Sequence, residues 1–293
     1  VDAGTMNPYM HGEVFVTEDG GETDLDLGWY ERFLDVNMSR DHYITTGQVY
    51  STVIERERKG EYLGKCVQII PHITDEIKSR IRRVASKTGV DVVITEIGGT
   101  TGDIEGLPFL EAVRQMRLEE SFTNTLFVHV ALVPILETTK EQKTKPLQHS
   151  VNELRRIGIQ PDIVIARCTV MIEPEVQKKI ALFANVEERA VFCSPTVKNI
   201  YGLPVLLDRQ GMGDYVCRRL HLPERKPDWS WWLEILKGFE HPSREVKVAF
   251  CGKYAKLADS YISINEALKH AGAALNTAVK IDWIEAEIFE EDP

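Results

Sequence analysis

Val90-Asp91-Val92-Val93-Ile94-Thr95-Glu96-Ile97-Gly98-Gly99-Thr100-Thr101-Gly102-Asp103-Ile104-Glu105-Gly106-Leu107-Pro108-Phe109-Leu110-Glu111 is the stretch whose reading decides the fold. Val90, Val92, Val93, Ile94 and Ile97 form a nearly continuous apolar run. Such a run is the pattern of a parallel strand covered on both faces, not of an antiparallel strand with one wet face. Glu96 stands at its carboxyl end, Gly98, Gly99 and Gly102 permit tight turns, and Asp103 and Glu105 add two carboxylates. Ligands of open α/β sheets collect outside the carboxyl ends of the strands. A strand-end acid followed by a glycine loop and a helix from about Pro108 therefore reads as a site.

Outward from this stretch, strands and helices alternate. Upstream, a helix is expected over residues 45–60, a short strand over Val67–Pro71, and a helix capped by Thr74 or Asp75, with Ile77, Ile81 and Val84 on one face and Gly89 at its end. Downstream come a strand over Leu126–Val133, a helix over Gln148–Arg156, a strand over Asp162–Arg167, a helix over Glu175–Ala184 and a strand over Ala190–Cys193. The pattern predicts an α/β fold with a mostly parallel sheet and helices on both faces. Between Leu222 and Val246, three prolines and the indoles of Trp229, Trp231 and Trp232 mark a linker with a short helix over Trp231–Lys237. Three wet indoles would be costly, so the linker is expected to pack on something. A strand from Val246, a helix over Ser260–Ala273 and a strand over Val279–Ile284 then read as the first βαβ unit of a second α/β domain. The organisation expected is residues 1–222, a linker 223–245, and 246–293.

Composition bounds the function. With 43% hydrophobic and 27% charged residues the chain is ordinary for a soluble globular protein, and no apolar run is long enough to span a bilayer. The balance of 35 Lys+Arg against 45 Asp+Glu, a net charge of −10, argues against nucleic acid or an anionic membrane as a partner. A bound polyanion must then be met by local cations or metal. Five cysteines, an odd number without a C-x-x-C pair, three of them in strand-like runs, suggest buried reduced thiols and a cytoplasmic protein. The chain begins Val1-Asp2-Ala3-Gly4 with neither Met nor signal-peptide character, and reads as lacking its true start.

Two groups of residues suggest chemistry. Glu22, Asp24 and Asp26 alternate with Thr23, Leu25 and Leu27, so in an extended segment the three acids share one face and repel unless a cation sits among them. Asp26 with Glu96 suits Mg²⁺ held for a nucleoside triphosphate, since this ion takes one or two carboxylates and completes its shell with water and phosphate. A solvated acidic edge suits the same residues. Lys143 and Lys145, just before a helix, could cradle an anion together with that helix's first N–H groups, and equally suit a solvated loop. Arg167, at the carboxyl end of a strand, favours the anion reading. The string Lys59-Gly60-Glu61-Tyr62-Leu63-Gly64-Lys65-Cys66 is one residue short of a Walker A loop and places Cys66 where Ser or Thr is needed. His129, inside a strand, reads as a core residue, and His11, beside Gly12 in a loop, is the one histidine worth marking.

The strings HGEVFVTEDGGETDLDLGWYERF, QIIPHIT, EIGGTTGDIEGLPFLEAVRQ, KTKPLQHS and GIQPDIVIAR closely resemble the CTP synthase family, in the same order from residue 1 to about 285. The resemblance implies a P-loop amidoligase with a Rossmann-like fold. In that family ATP phosphorylates O4 of UTP, and ammonia from glutamine displaces the phosphate to give CTP. It implies that Asp26 and Glu96 hold Mg²⁺, with Asp26 also near ATP. Arg167 would lie near ATP, and Thr196 and Val197 where adenine is held. Asp103, Ile104 and Glu105 match a segment contacting CTP as feedback inhibitor. Lys143, Thr144, Lys145, Pro146, Leu147, Gln148 and Lys179 match residues that bind UTP or CTP, partly across a subunit interface in a homotetramer. His11 and Val14 resemble residues lining the ammonia entrance.

The resemblance also places a first strand, a P-loop and a helix upstream of Val1, and only the start of a class I glutamine amidotransferase domain after Val246. No residue of this stretch is assigned as catalytic, and the fragment alone is expected to be inactive. Ala3, Trp29 and Val170 depart from the residues common in the family (Pro, His and Arg). Two other readings compete. One is a non-catalytic, oligomerising or filament-forming fragment. The other is a different P-loop amidoligase such as dethiobiotin synthetase, against which the string from Lys143 to Gln148 and the second domain argue.

Overall fold

The computed structural model describes residues 7–291. In chain order its main elements are α1 (Pro8–His11), β1 (Phe15–Val16), β2 (Glu22–Thr23), α2 (Asp26–Leu34), α3 (Thr46–Arg58), α4 (Thr74–Thr88), α5 (Leu107–Glu120), β3 (Val128–Leu132), α6 (Lys145–Arg156), β4 (Ile163–Cys168), α7 (Pro174–Ala184), β5 (Val191–Pro195), α8 (Leu203–Arg209), α9 (Met212–Arg219), α10 (Ser230–Glu240), β6 (Arg244–Gly252), α11 (Ile262–Ala274), β7 (Thr277–Glu285) and α12 (Ile288–Glu291). They divide into two compact units, residues 1–55, 82–92 and 228–293, and residues 56–81 and 93–227.

The larger sheet belongs to the second of these units. β3, β4 and β5 run parallel in that order, with Val130 opposite Ile165 and Ile165 opposite Phe192. The apolar run Ile163–Ala166 in the central strand is buried throughout, as a strand covered on both faces requires. Leu147, Val151 and Leu154 recur at helical spacing on α6 and are buried. Leu147 and Val151 pack with Ile180, Ala181 and Ala184 of α7 against Val164, Ala166, Val191 and Cys193. On the opposite face Ile163, Ile165 and Phe192 meet Leu207 of α8 and Met212, Tyr215 and Val216 of α9. Each fully buried Val, Leu or Ile side chain contributes about 1.5–3 kcal/mol. The sheet is therefore a two-sided core that leaves strand ends and loops free for other work.

Asp162 pins the entrance of β4. Its carboxylate, only 12% exposed, accepts hydrogen bonds from the guanidinium of Arg117, from Arg219 at 2.7 Å and from the Phe127 N–H at 2.8 Å. Asp162→Ala would leave Arg117 buried and uncompensated, so a loss of about 3 kcal/mol is expected. Urea denaturation of the two chains measures it.

In the other unit, β6 and β7 pair in parallel, with Val248 opposite Ile281, and α11 connects them. Phe250 sits 4.8 Å from Tyr261 and 5.0 Å from Trp283, ring centre to ring centre. α10 packs so closely on α11 that a Cβ on Gly238 would lie 2.4 Å from the Ala273 carbonyl oxygen. Gly238→Ala is therefore expected to push the two helices apart and lower the thermal midpoint, which calorimetry would register.

Five sequence expectations are corrected. Residues 90–97 are not a strand: Val90, Val92, Val93 and Ile94 are 36–86% exposed. An apolar run becomes a strand only when a neighbour supplies backbone partners, and among the described residues no strand pairs with this one. Val67–Pro71 is not a strand either. Pro71 has no N–H to give a ladder, and the Gln68 N–H is taken by His72 Nδ1 at 3.0 Å while Ile69–Ile73 coils. Glu22, Asp24 and Asp26 do not share one extended face, because β2 ends at Thr23 and Asp26 opens α2. The linker indoles pack only in part. Trp232 approaches Phe33 at 6.2 Å and Trp229 at 6.4 Å, whereas Trp231 is 71% exposed. The five cysteines are free, as expected, but burial holds for Cys168 and Cys193 and not for Cys251, which lies in the strand β6 and is exposed.

Candidate functional site

The lysine-rich loop is brought onto a helix N-terminus. Lys145 and Pro146 open α6, where proline costs no hydrogen bond because the first N–H groups have no partner within the helix. Thr144 and Gln148 are buried, and the Gln148 side-chain amide donates to Thr144 Oγ1 at 2.8 Å, which fixes the turn. Leu147 anchors it to the core with no exposed surface. Lys143 reaches Glu141 at 2.6 Å. Lys143, and with it Lys179 on α7, holds the Glu141 carboxyl below its ordinary range, so the two lysines converge on one acid. The Lys145 ammonium lies 5.8 Å from the ring of Phe183, one turn beyond Lys179 on α7. Three lysines thus gather where the helix dipole is positive, an arrangement suited to phosphate.

The loop carrying Asp103, Ile104 and Glu105 leaves all three exposed. The Asp103 carboxylate accepts from the Thr100 N–H at 3.3 Å while the Asp103 N–H donates to the Thr100 carbonyl at 3.0 Å. Gly102 turns the chain at φ +105°, a conformation L side chains rarely adopt. The same glycine lies beside Glu153, so the loop borders α6, whose other end carries Lys145 to Gln148.

Arg167 and Thr196 meet at the carboxyl ends of neighbouring strands β4 and β5. Arg167 Nη1 donates to the carbonyls of Cys168 and Ser194 at 2.8 and 3.1 Å and to Thr196 Oγ1 at 3.2 Å. The Thr196 N–H donates to the Cys168 carbonyl at 3.0 Å. Val197 follows, half-buried. The guanidinium is exposed yet held by three oxygens, and it supplies a fixed positive charge at the sheet end where ligands gather.

Asp26 is the first residue of α2 and belongs to the first unit, whereas Glu96 belongs to the second. Both are exposed. Even so, partial loss of water around the Asp26 carboxyl, and then the charge of Asp24, push its pKa above the ordinary value. Among the described residues no three His, Cys, Asp or Glu side chains gather as a metal cage. Mg²⁺ does not need one, and a hard carboxylate under repulsion from its neighbour is a fitting oxygen donor.

His11 closes α1 and is exposed, and Val14 is half-buried. Glu13 lies between them. Its carboxylate is bound to Ser263, 250 positions away, a contact that no local pattern announces. The partnership of Glu141 with Lys143 was also missed, although an acid two residues from a lysine in a loop is a signal that could have been read.

The sequence matches the family described as CTP synthase N-terminus over residues 1–222. It is 63% identical over 290 residues to the CTP synthase of Aeropyrum pernix, with 99% of this chain and 54% of that protein covered. The CTP synthases of Thermococcus gammatolerans and Methanopyrus kandleri are 60% and 57% identical, again over 99% of this chain and 54% of their length. The chain spans about half the length of the curated relatives it matches, and by the extent of these matches it belongs to the CTP synthase N-terminus family.

Proposed function

We propose that this chain supplies the nucleotide-binding and amidating part of an enzyme that converts UTP to CTP, with ATP as phosphoryl donor and ammonia released from glutamine as nucleophile. The observation that carries this reading is the gathering of Lys143, Lys145 and Lys179 around the N-terminus of α6, in a protein whose net charge is −10. A triphosphate would not approach so acidic a surface without such a patch. Lys143, Lys145, Lys179 and the turn fixed by Thr144 and Gln148 hold the UTP or CTP phosphates. Asp103, Ile104 and Glu105 contact the pyrimidine nucleotide in its inhibitory mode. Arg167, Thr196 and Val197 orient ATP at the ends of β4 and β5, and Asp26 and Glu96 are the oxygen donors for Mg²⁺. When bound, this ion neutralises phosphate charge. Positioning and charge neutralisation account for most of what phosphoryl transfer requires.

The domain plan remains the sequence-based one, with an amidoligase part, a linker and the start of an amidotransferase part. A homotetramer that shares the nucleotide site fits Leu182 (78% exposed) and Phe183 (45% exposed) beside Lys179 on α7. A cytoplasmic setting accords with cysteines that are all free. No helix among the described residues is long and apolar enough to cross a membrane.

The test is CTP formation from UTP, ATP and ammonium by an enzyme of the relatives' length that carries this sequence. CTP that appears only with both triphosphates supports the proposal, and its absence with active glutamine hydrolysis overturns it. In that enzyme Arg167→Ala is expected to raise KM for ATP about tenfold and leave KM for UTP unchanged. An equal rise for both would remove Arg167 from the ATP site.

A further inference from the structure

Glu13 and Arg32, near the start of the chain, meet the first turn of α11 in a buried cluster. The Ser263 N–H lies 2.9 and 3.1 Å from the two Glu13 carboxylate oxygens, and the Ser263 hydroxyl donates to Glu13 Oε2 at 2.7 Å. Arg32 Nη2 donates to the same hydroxyl oxygen at 2.7 Å and lies 3.9 Å from Glu13 Oε2. The two charged side chains are only 11% and 12% exposed. The Glu13 N–H is also taken, by the Asp259 carbonyl at 2.7 Å. Ser263 is the second residue of α11, where backbone N–H groups have no partner within the helix, so Glu13 caps α11 from the far end of the sequence.

This arrangement is a poor way to gain stability. A buried ion pair loses much of its attraction to desolvation, and Arg32 Nη1 is buried without a hydrogen-bond partner. What it fixes is orientation, since the Ser263 N–H and hydroxyl both bind the Glu13 carboxylate, the Glu13 N–H binds the Asp259 carbonyl just before α11, and Arg32 of α2 holds the same hydroxyl. The tied loop is the one that carries His11 and Val14.

We propose that Glu13, Arg32 and Ser263 form a clasp that holds the His11–Val14 loop against α11, which makes Glu13 a positioning residue for ammonia transfer. The proposal rests on the functional reading above, in which ammonia released from glutamine is the nucleophile and α11 belongs to the amidotransferase part that supplies it, and on the resemblance by which His11 and Val14 would line the ammonia entrance. The clasp itself is read independently of that function. In this chain Glu13→Ala is expected to speed hydrogen exchange at the Ser263 amide about tenfold while exchange in β4 is unchanged, because a charge-assisted hydrogen bond is lost. Unchanged exchange at Ser263 overturns the clasp.

In the enzyme of full relative length, Glu13→Ala and Ser263→Ala are expected to raise the glutamate released per CTP formed about fivefold. The ammonium-supported rate should stay the same, and Ser263→Thr, which keeps the hydroxyl, should restore the ratio. A ratio unchanged by both alanine variants overturns the positioning role while CTP synthesis from ammonium by the parent enzyme still upholds the functional reading. Absence of that synthesis in the parent overturns the functional reading, and with it the positioning role, while the exchange result stands.

Discussion

Asp26→Asn is expected to stop CTP formation from ammonium as completely as from glutamine, and at the same time to make the metal-free chain more stable near neutral pH. The first effect follows from charge. Asn keeps the shape of the side chain but offers no negative oxygen to Mg²⁺, and a loss of about 10³-fold or more is expected when a group that neutralises transition-state phosphate charge is removed. The second follows from the raised pKa of Asp26, caused first by partial desolvation and then by Asp24. A carboxyl whose folded pKa lies above its unfolded value opposes folding once it ionises. Stability is therefore lost as pH rises from the ordinary carboxylate range through the raised folded value, and the cost persists at neutrality. Below the ordinary range both states hold the proton and the cost vanishes. Thermal midpoints of the parent and the Asn variant should thus differ near neutrality and converge toward about pH 3. Added Mg²⁺ should raise the parent's midpoint more than the variant's. Glu96→Ala should match the loss of activity. If either variant lost only the glutamine-dependent rate, these acids would belong to ammonia delivery and not to the metal.

Much of the sheet was legible in the residues. The strands β4 and β5 and the helices α6 and α7 fall where periodicity places them, because Leu147, Val151 and Leu154 at helical spacing and the run Ile163–Ala166 leave no other face to bury. The opening stretch was legible only in its loop. Its glycines turn as expected, whereas Val90–Ile97 carries strand composition without a strand to pair with, and composition records burial tendency but not the partner. The same limit explains Glu13. A carboxylate that caps a helix 250 residues away has no spacing rule, so nothing in the residues around Glu13 announces the contact. For the site, residue types and strand ends pointed to Arg167 and the lysines. The convergence of Lys143 and Lys179 on Glu141 depends on how α6 and α7 pack, which single-chain patterns do not encode.

That convergence sets the second large effect. Removing Lys143 takes away more than one cation, because it also releases the Glu141 carboxylate it holds at 2.6 Å, and that charge then faces the incoming phosphates. Lys143→Ala is therefore expected to raise KM for UTP more than Lys145→Ala, whose ammonium rests on the Phe183 ring and holds no acid back. At about tenfold for Lys145→Ala and more for Lys143→Ala, the double variant should exceed about 10²-fold, with kcat little changed if the lysines bind ground and transition states alike. Glu141→Gln should act in the opposite direction, lowering KM in the parent and recovering part of the loss in Lys143→Ala. Because the groups are exposed, every one of these differences should shrink as ionic strength rises past physiological levels. A loss in Lys143→Ala that Glu141→Gln does not relieve would mean that Lys143 acts through its own contact with the nucleotide alone and that its pairing with Glu141 plays no part in binding.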